Sequence, residues 1–139
     1  MLWVCPAEKR RAVSFILNAG TEDPIVPWEG GELRLGRLRL GKVLSARETV
    51  MYWVTRNGCV PSPRVSWEPD RDPEDGTRVR RESYDRCRNG AEVVFYMIEG
   101  GGHSWPGGLQ YFPEWLIGKT NRDMEATEVI WEFFKKHTL

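Results

Sequence analysis

The sequence predicts an α/β fold whose elements follow in the order strand, helix, strand, helix, with the strands in a parallel sheet. Two apolar runs of strand length, residues 12–18 and 93–98, lack the alternation of apolar and charged residues that marks a half-exposed strand. Helix signals at residues 45–58 and 121–137 follow these runs. Because two strands make a very small sheet, we expect them to form one side of a larger sheet.

The length and composition are those of one soluble domain. A chain of 139 residues can bury a core, and 40% hydrophobic with 29% charged residues is a globular mixture. Twenty basic residues balance twenty acidic ones, so no overall field attracts nucleic acid or an anionic membrane, and we expect neither as a partner. No apolar run approaches the roughly 20 residues that span a bilayer.

The first residues do not have the layout of a signal peptide. The apolar residues come before the basic ones, and the apolar part is too short. The sequence therefore predicts either a cytosolic protein or a chain that lacks its natural beginning.

The first strand ends in a loop at residues 19–31. Asp23 precedes a proline, which pushes it out of helical geometry. Residues 33–42 then alternate leucine with basic residues around a glycine. A short surface hairpin explains this pattern, and a basic patch for an anionic ligand is the alternative.

A capping box opens the first helix. Ser45 is placed to accept from the first-turn backbone and Glu48 to reach back to the cap. Asn57 and Gly58 predict a left-handed end to this helix. Its apolar face is formed by Val50, Trp53 and Val54.

Residues 59–91 form a long polar excursion with many prolines and weak strand character near 77–84. Cys59 and Cys87 bracket it, and a bridge between them would tether it. With Cys5 the cysteines number three and show no close pairs of the kind that zinc sites use, so three reduced thiols is the alternative.

The second strand leads into three glycines and then His103. Glycine lets the backbone turn with positive φ and leaves room beside the ring. A histidine delivered by such a hinge at the end of a buried strand is a candidate general base, and a structural histidine is the alternative.

Residues 109–120 look aromatic and irregular, and Asn121 is predicted to cap a last helix over 121–137. Asp123 and Glu125 would stand in its first turn. His137, near its end, suits the helix dipole and is not expected to be catalytic. The predicted apolar face contains Thr127, Ile130, Trp131 and Phe134.

Asp23 and His103 each follow a buried strand. Functional groups of doubly wound sheets gather beyond the carboxyl ends of the strands, so we expect these two side chains to meet. A carboxylate there would orient the imidazole, as in a Ser-His-Asp triad. The chain order of acid before histidine is that of α/β-hydrolases, in which the serine comes first.

Four stretches of the sequence resemble the polyhydroxybutyrate depolymerase/feruloyl esterase family of serine esterases. They are residues 20–31, 43–59, 99–108 and 123–134, and the resemblance runs from about residue 12 to 137. It implies the C-terminal portion of an α/β-hydrolase fold, without a cofactor. Asn18 and Ala19 depart from it where the family often has a histidine before the Gly-Thr.

By this resemblance Asp23 is the triad acid and His103 the general base. Cys59 and Cys87 would form a family-like disulfide, which implies a secreted or periplasmic setting. Trp28 and Trp105 lie close to the two loops in sequence and are candidates for an aromatic wall of the substrate site, although core packing explains a tryptophan equally well. No metal ligands are expected.

The nucleophile of such an esterase is missing from the sequence. No Gly-x-Ser-x-Gly occurs, and Ser104 adjoins His103, so its neighbour cannot easily act on it as a base. Ser14 and Ser45 fall in a strand and at a helix cap. We therefore expect residues 1–139 to be a partial domain that lacks the nucleophile-bearing N-terminal half and is inactive alone.

Completed by that half, the chain would act on a polyester, a feruloyl ester or a small acyl ester. Two other hypotheses remain open. The chain could be an inactive, truncated remnant that self-associates, since exposed sheet edges favour a homodimer. Alternatively, Cys5 could supply a thiol to His103 and Asp23.

Overall fold

The computed structural model describes residues 11–137 and contains a four-stranded mixed sheet with the strand order β1-β6-β5-β4. Cys5, and with it the thiol hypothesis, lies outside the described residues. β1 and β6 pair in parallel, and the other two pairings are antiparallel. The strands are β1 (Phe15–Gly20), β4 (Arg64–Trp67), β5 (Arg78–Tyr84) and β6 (Val93–Glu99).

The parallel pair and the flanking helices agree with the predicted α/β class, but the expectation of a wholly parallel sheet is wrong. The excursion 59–91 contributes an antiparallel hairpin, β4–β5, of which the sequence showed only weak strand character. β4 was missed because it is only four residues long, all of them exposed, and its two apolar residues, Val65 and Trp67, are too few to set a pattern. The first strand also begins three residues later than its apolar run, at Phe15.

Helices cover both faces of the sheet. On one face, Val93 and Phe95 of β6 pack with Val50 and Val54 of α1 (Ala46–Arg56). On the other face, alternate β6 residues pack against α3 (Ala126–Lys136). That second core contains Val79, Val94, Tyr96, Ile98, Met124, Ala126 and Phe133. Burial on both faces explains why β6 is apolar without interruption.

α1 begins and ends as the sequence predicts. Ser45 Oγ accepts the Glu48 N–H at 3.1 Å, and the Glu48 carboxylate accepts the Ser45 N–H at 2.8 Å, which completes the capping box. Gly58 follows with φ of 62°. The buried Asn57 side chain bonds both the N–H and the carbonyl of Val13, at 3.0 and 2.7 Å, and so ties the helix end to the entry of β1.

The last helix begins later than predicted, because Asn121 is not its cap. Asn121 Nδ2 donates instead to Thr77 Oγ1 at 2.7 Å, and Asp123 Oδ1 accepts the Arg71 N–H at 2.8 Å. These buried polar side chains hold the excursion against the sheet, and α3 starts at Ala126 with Glu125 in the cap position.

The buried face of α3 also differs from the predicted face. Ala126 and Phe133 are buried, whereas Trp131 and Phe134 are 62% and 56% exposed. Thr127 is exposed as well, and Ile130 is partly buried. His137 closes the helix, and its Nε2 lies 3.0 Å from a Glu92 carboxylate oxygen.

Two smaller features complete the fold. β2 (Gly31–Leu35) and β3 (Leu38–Val43) form a separate antiparallel hairpin in the stretch where the sequence predicts one. A four-residue helix, α2 (Glu114–Ile117), lies within the segment that the sequence described as irregular. Between residues 11 and 137, none of the helices has the length and apolarity to cross a bilayer.

A disulfide joins Cys59 to Cys87 and closes the excursion. Hydrogen bonds flank it, since the Val60 N–H donates to the Arg86 carbonyl and the Arg88 N–H to the Asn57 carbonyl, both at 3.0 Å. The excursion is thus held to the end of α1.

A buried carboxylate joins α1 to β5. Glu82, 2% exposed, accepts two hydrogen bonds from Arg47 at 2.6 and 3.0 Å, and Arg80 lies 3.0 Å away. The hydrogen bond from Arg47 lowers the pKa of Glu82 below its ordinary value of 4.5, and burial opposes this only in part. This ion pair lets a charged strand lie in the middle of the sheet.

Removing the disulfide is expected to destabilise the protein. The cysteines are 28 residues apart, and opening a loop of this size costs about 3–4 kcal/mol of unfolding free energy in the chain-entropy model. Urea unfolding of Cys59→Ser/Cys87→Ser measures it. Reductant should lower the unfolding free energy of the parent protein by a similar amount and leave that of the variant unchanged. A parent protein whose unfolding free energy does not respond to reductant would contradict the assignment.

Glu82→Gln is expected to lower the unfolding free energy at pH 7 by about 2 kcal/mol, since it leaves the partly buried Arg47 without its negatively charged partner. Because the folded pKa of Glu82 lies below 4.5, its contribution is complete above that value and is lost as the pH falls through the folded pKa. The unfolding free energies of the parent and the variant should therefore become equal at acidic pH. Glu74→Gln, on an exposed loop, is the control; a pH-independent difference would refute the assignment.

Candidate active site

The two loops predicted to carry the site begin at the same edge of the sheet. β1 ends at Gly20 and β6 at Glu99, and the two strands run in parallel side by side. Asp23 and His103 follow within a few residues, and Asp23 Oδ2 lies 2.9 Å from His103 Nδ1. The structure thus brings together two side chains that are 80 residues apart in the chain.

Hydrogen bonds to its own loop orient the Asp23 carboxylate. Oδ1 accepts the N–H groups of Ile25 and Val26, both at 2.8 Å, in the way that aspartate commonly stabilises a turn. The other oxygen, Oδ2, is left to face the imidazole. The Asp23 side chain is only 11% exposed, so little water competes for this contact.

The backbone of His103 is held from two sides. Its N–H donates to the Ile117 carbonyl, and its carbonyl accepts the Tyr111 hydroxyl at 2.7 Å. When Asp23 is ionised, the proton lies on Nδ1, and the Nδ1–H group donates a hydrogen bond to Oδ2. Nε2 then presents a lone pair, which is the arrangement a general base needs.

The three glycines before His103 serve two different needs. Only Gly100, with φ of 73°, requires the backbone freedom that the sequence interpretation gave to the run. A Cβ on Gly101 would overlap the Ile98 side chain, and one on Gly102 would overlap the Ile117 carbonyl oxygen. Close packing against the Ile98 side chain therefore favours glycine at the second position, and close backbone packing requires it at the third.

Thr21 joins the loop at residues 19–31 to the loop at residues 99–108, a role that the sequence did not reveal. Its N–H donates to the Ile98 carbonyl at 3.0 Å, and its Oγ1 accepts the Gly100 N–H at 2.9 Å. The Glu22 N–H adds a bond to the Gly101 carbonyl at 3.0 Å. The only signal for this role was the place of Thr21 in the Gly-Thr pair before the acid.

A cavity of about 690 Å³ lies beside the Asp23–His103 pair. Both tryptophans that the sequence singled out line it. Trp28 stacks on Phe95 with ring centroids 5.7 Å apart, whereas Trp105 is 52% exposed and its indole N–H donates to Thr127 at 3.0 Å. Further apolar lining comes from Val26, Pro27, Leu44 and Tyr111.

None of the three serines considered in the sequence is placed as a nucleophile. Ser104 lines the cavity, but its hydroxyl donates to the Lys119 carbonyl at 3.1 Å. Ser14 accepts the Glu92 N–H near the opposite end of the sheet, and Ser45 caps α1. Within the described part of the chain, no histidine, cysteine and carboxylate side chains group as a metal site.

The cavity is bounded by an edge of β1 that pairs with no other strand among residues 11–137. The Phe15 N–H donates to the carbonyl of Glu92, which directly precedes β6, and the Thr21 N–H to the carbonyl of Ile98 in β6. The N–H and C=O groups of the even-numbered residues therefore point away from β6. Asn18, one of these, has a buried side-chain oxygen without a hydrogen-bond partner in the described residues. This edge is equipped to receive further polar groups.

Two curated proteins are distantly similar to this chain. "Putative esterase NocK" from Nocardia uniformis subsp. tsuyamanensis is 28% identical over 136 residues, which cover 92% of this chain and 39% of that protein. "Feruloyl esterase B" from Piromyces equi is 28% identical over 90 residues, which cover 64% of this chain and 15% of that protein.

The chain thus spans less than half the length of the curated relatives it matches. No family model matches it. No solved structure matches it either. The comparisons support a relationship to esterases, and they do not single out polyhydroxybutyrate depolymerases.

Replacing the carboxylate is expected to change the tautomer of His103. The parent protein should hold the proton on Nδ1, because the ionised Asp23 accepts it, and Asp23→Asn should shift the population toward the Nε2–H form. The ¹⁵N chemical shifts of the two ring nitrogens report this directly. Glu22→Gln removes a neighbouring exposed carboxylate and is the matched control; identical ring shifts in the parent and Asp23→Asn would contradict the contact.

Proposed function

We propose that this chain supplies the acid and the base of a serine carboxylesterase, and that a segment outside the given sequence supplies the serine. The observation that carries the proposal is the 2.9 Å contact between Asp23 and His103 beside a largely apolar cavity. The distant similarity to two proteins named as esterases supports the same class. On this proposal, residues 1–139 form part of an α/β-hydrolase domain.

In the proposed reaction, His103 Nε2 takes the proton from the serine hydroxyl as its oxygen attacks the ester carbonyl. Asp23 keeps the proton on Nδ1 and stabilises the imidazolium that forms. The imidazolium then gives its proton to the leaving alcohol, and an acyl-serine remains. Water, activated by the same nitrogen, releases the acid and regenerates the serine.

The nucleophile is assigned to another segment because the described residues that line the cavity offer no suitable one. The Ser104 hydroxyl donates to the Lys119 carbonyl, and Ser104 directly follows His103 in the chain, so His103 cannot easily act on it as a base. The sequence has no Gly-x-Ser-x-Gly. We propose that the missing segment adds a strand along the open edge of β1, which ends at the same rim as the candidate base.

The substrate side of the proposal is an ester with an apolar or aryl group. Trp28 and Trp105 line the cavity together with the candidate acid and base. Among the described residues that line it, Asp23 and His103 are the only charged or titratable groups besides the phenol of Tyr111. A feruloyl ester, the substrate named for one relative, fits such walls, as do a polyester chain and a small acyl ester. The Cys59–Cys87 disulfide favours a secreted or periplasmic setting.

A second candidate is a non-catalytic domain that self-associates. The edge of β1, which pairs with no strand in the part of the chain that the structure describes, favours this alternative, because such edges template strand pairing between copies. Analytical ultracentrifugation separates the two candidates. A homodimer that persists when the serine-bearing segment is supplied would favour the self-associating domain, and a homodimer that is replaced by a heteromeric complex would favour the esterase.

The esterase proposal is tested by complementation. The chain is co-expressed with an esterase N-terminal segment that carries Gly-x-Ser-x-Gly, and p-nitrophenyl ester hydrolysis is measured. We expect no turnover by the isolated chain and turnover by the complex. His103→Ala should then reduce kcat by about 10⁴-fold, since the base of a triad is lost.

Glu22→Gln is the control and should leave turnover unchanged. Activity that survives His103→Ala in the complex would refute the role of the base. A folded complex, verified by co-purification and circular dichroism, that shows no hydrolysis would refute the proposal as a whole.

A further inference from the structure

The β2–β3 hairpin separates apolar from basic residues on its two sides. In its register Leu35 lies opposite Leu38, and Arg34 lies opposite Arg39. Directly opposed residues share a face, and neighbours along a strand alternate. Near the turn, one side is therefore a leucine face, formed by Leu35, Leu38 and Leu40. Arg34 and Arg39 lie on the other side, and Arg37 lies in the turn. The pairing is irregular between Glu32 and Arg34, so the alternation does not extend to Leu33.

The leucine face is largely uncovered in the described residues. Leu35, Leu38 and Leu40 are 49%, 62% and 56% exposed, and the hairpin forms a two-stranded sheet of its own. Isolated two-stranded hairpins are at best marginally stable in water, so an exposed row of leucines on one calls for a contact that covers it.

The hairpin is also strongly basic, although the whole chain has no net charge. Residues 31–43 hold four basic side chains and one acidic one, so their net charge is +3. The single acid, Glu32, lies 2.8 Å from Arg34 and 3.4 Å from Arg39. The balance of charge over the sequence thus conceals a local cationic patch.

An occupant of this surface must be apolar where the leucines point and anionic around them. A stable protein interface uses about 20–30 residues a side, which is more than the 13 residues from 31 to 43. A lipid surface needs less, because a few leucines can enter the acyl boundary while arginines extend to the phosphates.

We propose that the β2–β3 hairpin docks on an anionic lipid surface through its leucine face. The hairpin ends at the cavity, since Val43 and the 58% exposed Leu44 line it together with Asp23 and His103. Docking would bring the mouth of the cavity to the lipid boundary. The docking itself does not depend on the esterase proposal, and its test involves no ester hydrolysis.

The test is sedimentation of the protein with vesicles of phosphatidylcholine, with and without phosphatidylglycerol. We expect binding to the anionic vesicles, weakened by salt and much weaker on phosphatidylcholine alone. A Leu38→Trp variant reports the depth of the hairpin, because its added fluorescence should shift to the blue and be quenched by brominated acyl chains. Failure of the parent protein to bind anionic vesicles would overturn the proposal.

Two variants separate the apolar and the ionic contributions. Leu35→Ser/Leu38→Ser keeps the charge and should reduce partitioning at least about tenfold, since two apolar anchors are lost. Arg34→Gln/Arg37→Gln/Arg39→Gln should cost about fivefold per charge at low salt. Trp131→Ser is the matched control, because Trp131 lies on α3 and is as exposed as Leu38, at 62%; its partitioning should not change.

Circular dichroism and the ring signals of His103 verify that each variant is folded. Binding that persists in the leucine variant would mean adsorption by charge and would overturn the docking mode. Self-association that the leucine variant abolishes, without vesicle binding by the parent protein, would assign the leucine face to a second copy and equally overturn the lipid proposal.

Discussion

The parallel pairing of β1 with β6 is the constraint on which the rest of the structure depends. Parallel neighbours end at the same edge, so the loops that follow Gly20 and Glu99 start side by side although they are far apart in the chain. Thr21 and Glu22 then hold one loop against the other through backbone hydrogen bonds and the Thr21 hydroxyl. The Asp23–His103 contact is a consequence of this pairing.

Tight backbone packing makes the arrangement specific. The end of β1 approaches the loop before His103 so closely that a side chain at Gly20 would overlap the Gly101 carbonyl, and one at Gly102 would overlap the Ile117 carbonyl. Asp23 uses one oxygen on its own turn and the other on the imidazole, so the carboxylate has little freedom to move. Such preorganisation is what a general base requires, because a side chain that must be ordered during the reaction contributes less.

Polar side chains hold the surroundings of the pair. Glu82 binds α1 to β5 through Arg47, and Asn121 and Asp123 hold the excursion against the sheet. These groups are buried, and each is paired, since burying them without partners would be costly. They explain how a segment with so many charges and prolines joins the sheet.

The sequence by itself determined the elements with local signals. The capping box at Ser45, the glycine end of α1 and the apolar strand β6 all follow from residues close in the chain. Only the tertiary structure decided where polar residues serve distant partners. Asn121 resembles a cap but binds Thr77, and β4 and β5 are held in the sheet by strand pairing and, in β5, by the Glu82 ion pair. Local patterns report caps, turns and burial, whereas the partner of a buried polar group is set by the packing of segments far apart in sequence.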